Sequence, residues 1–184
     1  TKTYVSKFLI GAVVLMAAFL SSCSNNDYVK NIPNNCTALL SVDAKRVEGV
    51  DGSGLLKKIL PVEDASSVGI DFKEKVYLFE TVDGNIGLAA KIKNESDFTK
   101  NIDALVKSGV CARPTKKANI SFVMIKNSWL VAYNSDALMM VGPITVAARP
   151  SVENFAIACF RQEEEQSVMA SKLYQRLDTI DAPI

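Results

Sequence analysis

The sequence predicts an α+β fold in which an antiparallel sheet of hairpins and a meander carries its helices on one face. Three observations predict this class. Segments rich in β-forming residues occur next to one another, separated by short turn sequences. Other segments place apolar residues at helical spacing. These helical segments lie between the blocks of strands, and hairpins and meanders between helices favour an antiparallel sheet.

The first block of elements contains a strand, a helical connection and a hairpin. Residues 36–43 have a short strand pattern, and residues 44–60 contain helix-compatible pieces. Residues 75–82 and 86–92 are both rich in β-formers. Between them lies Asp83-Gly84-Asn85, which is a strong hairpin signal because glycine tolerates a positive φ.

A helix is predicted after this hairpin. Ser96 is its expected N-cap, and Gly109 is its expected end. Its apolar residues follow the i, i+4, i+7, i+8 spacing of a buried helical face. They are Phe98, Ile102, Leu105 and Val106.

The second block contains three strands and two helices. Lys126-Asn127-Ser128 is the expected turn between the first two strands. Helical spacing returns over residues 151–162, and Ser171 is the expected N-cap of a last helix. The predicted strands are residues 120–125, 129–133 and 137–141.

Residues 1–22 have the composition of a secretory signal peptide. They hold two basic residues, Lys2 and Lys7, and no acidic residue. Residues 8–20 form an uncharged apolar run, which as a helix would reach roughly 20 Å, short of the ~30 Å hydrocarbon core of a bilayer. Such a run fits the hydrophobic region of a signal peptide rather than a membrane-spanning helix.

The tetrapeptide Leu20-Ser21-Ser22-Cys23 closes this run and resembles the lipobox of bacterial lipoproteins. The resemblance implies that the segment before Cys23 is cleaved and that Cys23 is lipidated. Acyl chains then hold the protein to a membrane, at about 0.8 kcal/mol per buried CH₂. Ser24 directly after Cys23 resembles outer-membrane sorting in Gram-negative bacteria, and it leaves open which side of that membrane the domain faces.

These observations divide the chain into three parts. Residues 1–22 are the expected signal peptide, and residues 23–35 are the expected lipidated cysteine and polar tether. Residues 36–184 are the expected α+β domain. The expected partners are a membrane, through the lipid anchor, and an unknown envelope protein or glycan.

Composition places the expected mature chain among ordinary globular proteins. The 184 residues contain 21 basic and 20 acidic side chains, and removing Lys2 and Lys7 leaves 19 basic and 20 acidic, a net charge of −1. Such a chain is too apolar and too nearly neutral for disorder, and it lacks the charge of an electrostatic nucleic-acid binder. The basic loop of Arg113 and Lys116-Lys117 is too short to change that conclusion.

Histidine is absent from the sequence, and the cysteines are scattered. The commonest acid–base catalyst and the commonest metal ligand are therefore both missing. Cys159 lies on an apolar helix face, where burial is expected. Cys36 and Cys111 lie in or beside loops, and a disulfide between them is an open possibility in an exported protein.

The acidic residues do not predict an active site. Those between positions 43 and 64 are expected in an acidic loop region, and the run 163–165 at a solvated helix end. Glycosidases need two carboxylates a few ångströms apart in a cleft. The spacings of these acidic residues do not predict that two carboxylates lie at the same site. With no calcium loop, glycine-rich phosphate loop or serine-hydrolase motif present, we predict no catalytic residue, no metal site and no cofactor.

Trp129 is the one tryptophan of the chain, and it shares a side of its predicted strand with Val131 and Tyr133. Two interpretations of this position remain open. Trp129 and Tyr133 either pack into the sheet core or form an exposed aromatic patch for sugars or a protein partner.

Seven short motifs accompany the lipobox. They are Ile32-Pro33, Ser41-Val42-Asp43, Gly69-Ile70-Asp71, Val76-Tyr77-Leu78-Phe79, Gly87 with Ala90-Lys91, Trp129 with Tyr133, and Gln162-Glu163-Glu164-Glu165-Gln166-Ser167. Together they resemble a family of uncharacterised lipoproteins of the Bacteroidetes, known as a domain of unknown function. No catalytic residue is established for that family, so none is carried over. Its members are usually much longer, and we therefore expect the natural chain to continue beyond Ile184.

Three hypotheses about function remain. The preferred hypothesis is a lipid-anchored outer-membrane protein that acts as a non-catalytic binding or structural module. The alternative is an envelope hydrolase whose catalytic residues lie partly beyond residue 184. A third hypothesis is a subunit whose exposed sheet edge pairs with another chain.

Overall fold

A computed structural model describes residues 26–43 and 68–179, which form a seven-stranded antiparallel sheet with helices on both faces. The strands are β1 (Ala38–Val42), β2 (Val76–Glu80), β3 (Ile86–Lys91), β4 (Thr115–Lys117), β5 (Ile120–Ile125), β6 (Trp129–Tyr133) and β7 (Ala137–Gly142). The helices are α1 (Glu95–Lys107), α2 (Arg149–Arg161) and α3 (Lys172–Thr179). Short 3₁₀ helices cover Asp27–Asn31, Val146–Ala148, Glu164–Gln166 and Val168–Ala170.

Two meanders build the sheet, whose strand order is β1-β2-β3-β7-β6-β5-β4. Strands β1 to β3 form the first meander, and β4 to β7 form the second. Helix α1 connects the two, and β7 returns to pair with β3 at the centre of the sheet. The α+β class and the antiparallel sheet predicted from the sequence are confirmed.

Five strands, β2, β3, β5, β6 and β7, bury side chains on both faces of the sheet. On the first face, Phe79 and Met139 belong to a cluster that α2 and the 3₁₀ helix Asp27–Asn31 cover. On the second face, Leu88 and Met140 belong to a cluster that α1 covers. The prediction that the helices lie on one face is therefore wrong. The physical reason is that strands such as β7, which is buried at every position, need a covering layer on each side.

The N-terminal segment of the described chain is part of the domain. Tyr28, Val29 and Ile32 are buried in the first-face cluster, and Asn31 is buried beside them. The prediction of a solvated tether over residues 23–35 is therefore wrong from Tyr28 onward. The sequence does not reveal that these three residues are buried, because they stand among polar residues and a single 3₁₀ turn is too short to show a hydrophobic period.

Three hairpin turns contain residues at positive φ, and the sequence predicts two of these hairpins. Gly84 has a φ of +77°, and Lys126 and Asn127 have φ values of 51° and 52°. Strand β4 and its turn, with Ala118 at φ 52° and Asn119 at φ 64°, lie where the sequence predicts only a basic loop. Alanine is an unusual residue at positive φ, and the exposed strand Thr115–Lys117 has no apolar alternation to reveal it.

The helices lie close to their predicted positions. The N-cap of α1 is Asn94 rather than the predicted Ser96, since the Asn94 side chain accepts a hydrogen bond from the Asp97 amide at 3.2 Å. The predicted cap of the last helix is confirmed, because the Tyr174 amide donates to the Ser171 hydroxyl at 3.2 Å.

Several predictions fall outside the described residues. They are the signal peptide 1–22 with its lipobox Leu20, Ser21 and Ser22, the lipidated Cys23, and the helical pieces between residues 44 and 60. Within residues 26–43 and 68–179, no helix combines the length and the apolar character that crossing a membrane requires.

Candidate functional site

A cleft of about 180 Å³ opens on the first face, at the end of the sheet where β2 turns into β3. Three parts of the chain form its walls: the segment before β1, the β2–β3 hairpin and the first turns of α2. Its polar lining residues are Asn35, Thr81, Asp83, Asn85 and Ser151. Its apolar lining residues are Pro33, Val82, Val141, Val152 and Phe155.

The hairpin wall is held by hydrogen bonds within the loop. The Thr81 amide donates to the Asn85 carbonyl oxygen at 2.9 Å, and the Asn85 amide donates to the Thr81 hydroxyl at 3.1 Å. The Gly84 amide donates to the Thr81 carbonyl oxygen at 2.9 Å. Thr81 is itself buried. The loop is thus fixed at its base, while Val82, 61% exposed, and Asp83 project at its tip.

The second wall is the segment that contains Pro33 and Asn35. Pro33 forms a β-bridge with Ser167, and the adjacent Asn34 amide donates to the Gln166 carbonyl oxygen at 3.4 Å. The segment is therefore attached to the chain beyond α2. Asn35 is exposed beside the cleft, where its carboxamide is accessible to a ligand.

Helix α2 supplies the third wall. Val152 and Phe155 are half-buried and pack against the first-face cluster, so their outer surfaces line the cleft. The Ser151 hydroxyl donates to the Ala148 carbonyl oxygen at 2.7 Å. None of the lining residues in the described ranges is basic, and Asp83 is the charged residue among them.

On a neighbouring side of α2, a buried carboxylate ties the helix to strand β4. Glu153 is 2% exposed and accepts a hydrogen bond from Arg149 Nε at 2.7 Å and one from Lys117 Nζ. Arg149 Nη2 also donates to the Thr115 hydroxyl at 3.1 Å. Burial acts to raise the pKa of Glu153, but the hydrogen bonds from the two cations and their positive charges outweigh it and hold that pKa below its ordinary value. This network fixes the helical turns of α2 that line the cleft.

The three cysteines within the described residues are free thiols, and the structure does not form the Cys36–Cys111 bridge considered from the sequence. Cys36 is buried in the first-face cluster, whereas Cys111 packs against the second-face cluster, so the sheet lies between them. Cys159 is buried as predicted, and burial raises its pKa to about 12. A thiol with that pKa carries very little thiolate near neutral pH, so Cys159 is a packing residue.

Trp129 and Tyr133 do not form an exposed aromatic patch. Tyr133 is 3% exposed, and its ring meets the Phe98 ring of α1 edge-on, with centroids 4.8 Å apart. Trp129 is half-buried and covers Gly142 so closely that a β-carbon there would lie 2.6 Å from Trp129 Cε3. The core interpretation is therefore the correct one for Tyr133, since α1 covers this face.

Sequence reasoning missed the cleft. It interpreted Asp83-Gly84-Asn85 only as a turn and Asn35 only as part of a tether. No local sequence pattern could have shown that Asn35 lies near the turn Asp83-Gly84-Asn85, because their proximity depends on the docking of the N-terminal segment. Across residues 26–43 and 68–179, no group of three or more His, Cys, Asp or Glu side chains is placed to hold a metal ion.

The motifs singled out in the sequence come together in pairs. Ile32-Pro33 lies against residues 162–168, since the Val168 amide donates to the Ile32 carbonyl oxygen at 2.8 Å. The Asp71 amide, in the motif Gly69-Ile70-Asp71, donates to the carbonyl oxygen of Lys91 at 2.8 Å. These motifs hold distant segments together, which is a structural role.

Comparison with protein-family models assigns most of the chain to a family. A family model described as a domain of unknown function (DUF4836) matches residues 29–179. No curated protein and no solved structure matches the chain. The match begins at Val29, within the buried N-terminal segment, so the family model includes the part of the chain that the sequence suggested was a tether.

Proposed function

The chain belongs to the DUF4836 family of domains of unknown function, and from the lipobox-like Leu20-Ser21-Ser22-Cys23 we propose that it is a lipid-anchored outer-membrane protein of the Bacteroidetes type. Its domain acts as a non-catalytic binding module of the cell envelope, and the cleft is its binding site. The observation that carries the binding role is the cleft itself, because three separately held walls place polar and apolar groups around one space.

The lining chemistry supports binding over hydrolysis. A retaining or inverting glycosidase places two carboxyl groups roughly 5–10 Å apart. The lining residues in the described ranges include one carboxylate, that of Asp83, and it is exposed at the hairpin tip. Thr81 carries the hydroxyl of this loop, and that hydroxyl accepts a hydrogen bond from the Asn85 amide at 3.1 Å.

The short link between Cys23 and the folded chain supports a role at the lipid surface. Four residues separate Cys23 from the buried Tyr28, and the backbone from Cys23 to Asn26 reaches at most about 11 Å. An acylated Cys23 would therefore hold the domain close to the head groups instead of at the end of a long tether.

Membrane fractionation of the full precursor tests the anchor. Cys23→Ala should abolish labelling by a palmitate analogue and move the protein to the soluble fraction. Ser22→Ala is the matched control, because it keeps a small residue in the lipobox and should leave both labelling and membrane association intact. Continued membrane association of Cys23→Ala would contradict lipid anchoring and would indicate that residues 8–20 act as a signal anchor.

A further inference from the structure

Resting on the binding role proposed above, we infer that the cleft binds one ring of a neutral carbohydrate, as the terminal residue of a glycan. Its size, charge, hydrogen-bonding groups and apolar surface each bear on the ligand class, and all four agree with this assignment.

Size limits the ligand to a single ring. The cleft measures about 180 Å³, whereas sites for drug-sized ligands hold roughly 300–1,000 Å³. A monosaccharide unit is a suitable occupant, with the remainder of a glycan chain extending into solvent past the exposed tip residues Val82 and Asp83.

Charge argues against an anionic ligand. The lining residues of the described chain include the Asp83 carboxylate and no cation. A phosphate, sulfate or uronic acid would meet a like charge with no compensating partner, which costs binding free energy. Neutral and cationic ligands are therefore the chemistries that remain.

The hydrogen-bonding groups favour the neutral ligand over the cationic one. The carboxamides of Asn35 and Asn85 each offer donors and an acceptor, and the Ser151 hydroxyl, which donates to Ala148, can still accept. Sugar hydroxyls both donate and accept, so they can satisfy this mixed set together with Asp83. An ammonium group only donates, and it would leave the amide donors of Asn35 and Asn85 unmatched.

The apolar part of the lining suits the C–H face of a sugar ring. Phe155 is half-buried and Val82 is 61% exposed, so an aromatic ring and an aliphatic side chain border the polar groups. Exposed apolar side chains combined with a few placed polar groups are characteristic of small-molecule sites.

Two walls of the cleft are already held in place, so few protein groups need to become ordered when this ligand binds. The hairpin is held by the Thr81–Asn85 hydrogen bonds, and Pro33 is bridged to Ser167. Because these walls are fixed before the ligand arrives, binding loses less conformational entropy than it would at a mobile loop.

Saturation-transfer NMR on the lipidated full chain, extracted in detergent, tests the inference. The probes are glucose, galactose and N-acetylglucosamine, with glucuronic acid and lysine methyl ester as charged comparisons. We expect transfer to at least one neutral sugar and none to glucuronic acid. Asn35→Ala and Val82→Ser should each weaken binding of that sugar by about three- to tenfold, while Asp97→Asn on α1, outside the cleft, should leave it unchanged.

The outcomes separate the ligand from the proposed function. Absence of transfer to every neutral sugar, or equal binding by the cleft variants and the parent, overturns the carbohydrate assignment. Transfer to lysine methyl ester alone, lost in Asp83→Asn, also overturns it and indicates a cationic peptide partner, while the binding role stands. Cleavage of cellobiose or lactose by the same protein would contradict the non-catalytic function while leaving the cleft a sugar site.

Discussion

The side-chain amide of Gln162 donates a hydrogen bond to the carbonyl oxygen of Ile32 at 3.0 Å, across 130 positions of sequence. The same nitrogen donates to the Lys30 carbonyl oxygen at 2.6 Å. One side chain at the end of α2 thus satisfies two backbone acceptors of the N-terminal segment. Because Pro33 and Asn35 follow directly, this contact also positions one wall of the cleft.

The N-terminal segment should be required for stability. A chain that begins at Asn35 would lose the buried Tyr28, Val29 and Ile32, and fully burying one large apolar side chain contributes roughly 1.5–3 kcal/mol. We expect urea unfolding followed by circular dichroism to show a much lower midpoint, or no folded baseline, relative to a chain that begins at Ser24. Equal midpoints for the two chains would show that residues 26–34 are a tether after all.

Gln162→Glu should loosen that segment. A carboxylate cannot donate to the carbonyl oxygens of Lys30 and Ile32, so two hydrogen bonds are lost, at about 0.5–1.5 kcal/mol each. Gln175→Glu makes the same chemical change at an exposed position of α3 and should alter stability little. Hydrogen exchange should show faster exchange at the Val168 amide in Gln162→Glu alone. Unchanged exchange at the Val168 amide would contradict a role of Gln162 in holding the N-terminal segment.

Glu153 should stabilise the protein in a pH-dependent way. Its pKa is lower in the folded protein than the ordinary value of 4.5, so its contribution is fully present above that value and is lost as the pH falls through the folded pKa. Glu153→Gln should therefore lower the free energy of unfolding at pH 7, by roughly 1–3 kcal/mol for lost charged hydrogen bonds, and by less near pH 3. Glu165→Gln, at an exposed position, is the control. A deficit that stays the same at both pH values would contradict the ionic role.

The thiols should differ in reactivity. Cys159 is buried with a pKa of about 12, whereas Cys111 is half-buried. Alkylation by iodoacetamide at pH 8, followed by mass spectrometry, should modify Cys111 first and Cys159 only in urea. Equal rates at the two cysteines in the native protein would contradict the burial of Cys159.

Two glycines with similar backbone angles should respond differently to alanine. Gly69 has a φ of +83° and Gly84 a φ of +77°. A β-carbon at Gly69 would lie 2.6 Å from the Phe98 amide nitrogen at the start of α1, while at Gly84 it would meet nothing within 4 Å. Gly84→Ala should cost about 1 kcal/mol from backbone strain, and Gly69→Ala a further 1–3 kcal/mol, roughly, from overpacking. Equal urea midpoints for the two variants would contradict the close approach at Gly69.

Patterns formed by residues close in sequence were enough to predict most strands and helices of the fold. Strands β5 to β7 lie within one residue of their predicted bounds, because β-forming side chains separated by the Lys126-Asn127-Ser128 turn carry a strong local signal. Helix α1 shows its buried face through Phe98, Ile102 and Leu105 at helical spacing. Each of these signals depends only on residues close in sequence.

The sequence by itself thus determined the α+β class, the hairpins and the extents of most strands and helices. Tertiary structure alone decided that helices cover both faces, that Tyr28 to Ile32 belong to the core, and that Asn35, Asp83 and Phe155 border one cleft. These features depend on contacts between segments 130 or more residues apart in sequence. Such contacts leave no period in the sequence, because each is made by one or two side chains whose partners are set by the packing of the whole sheet.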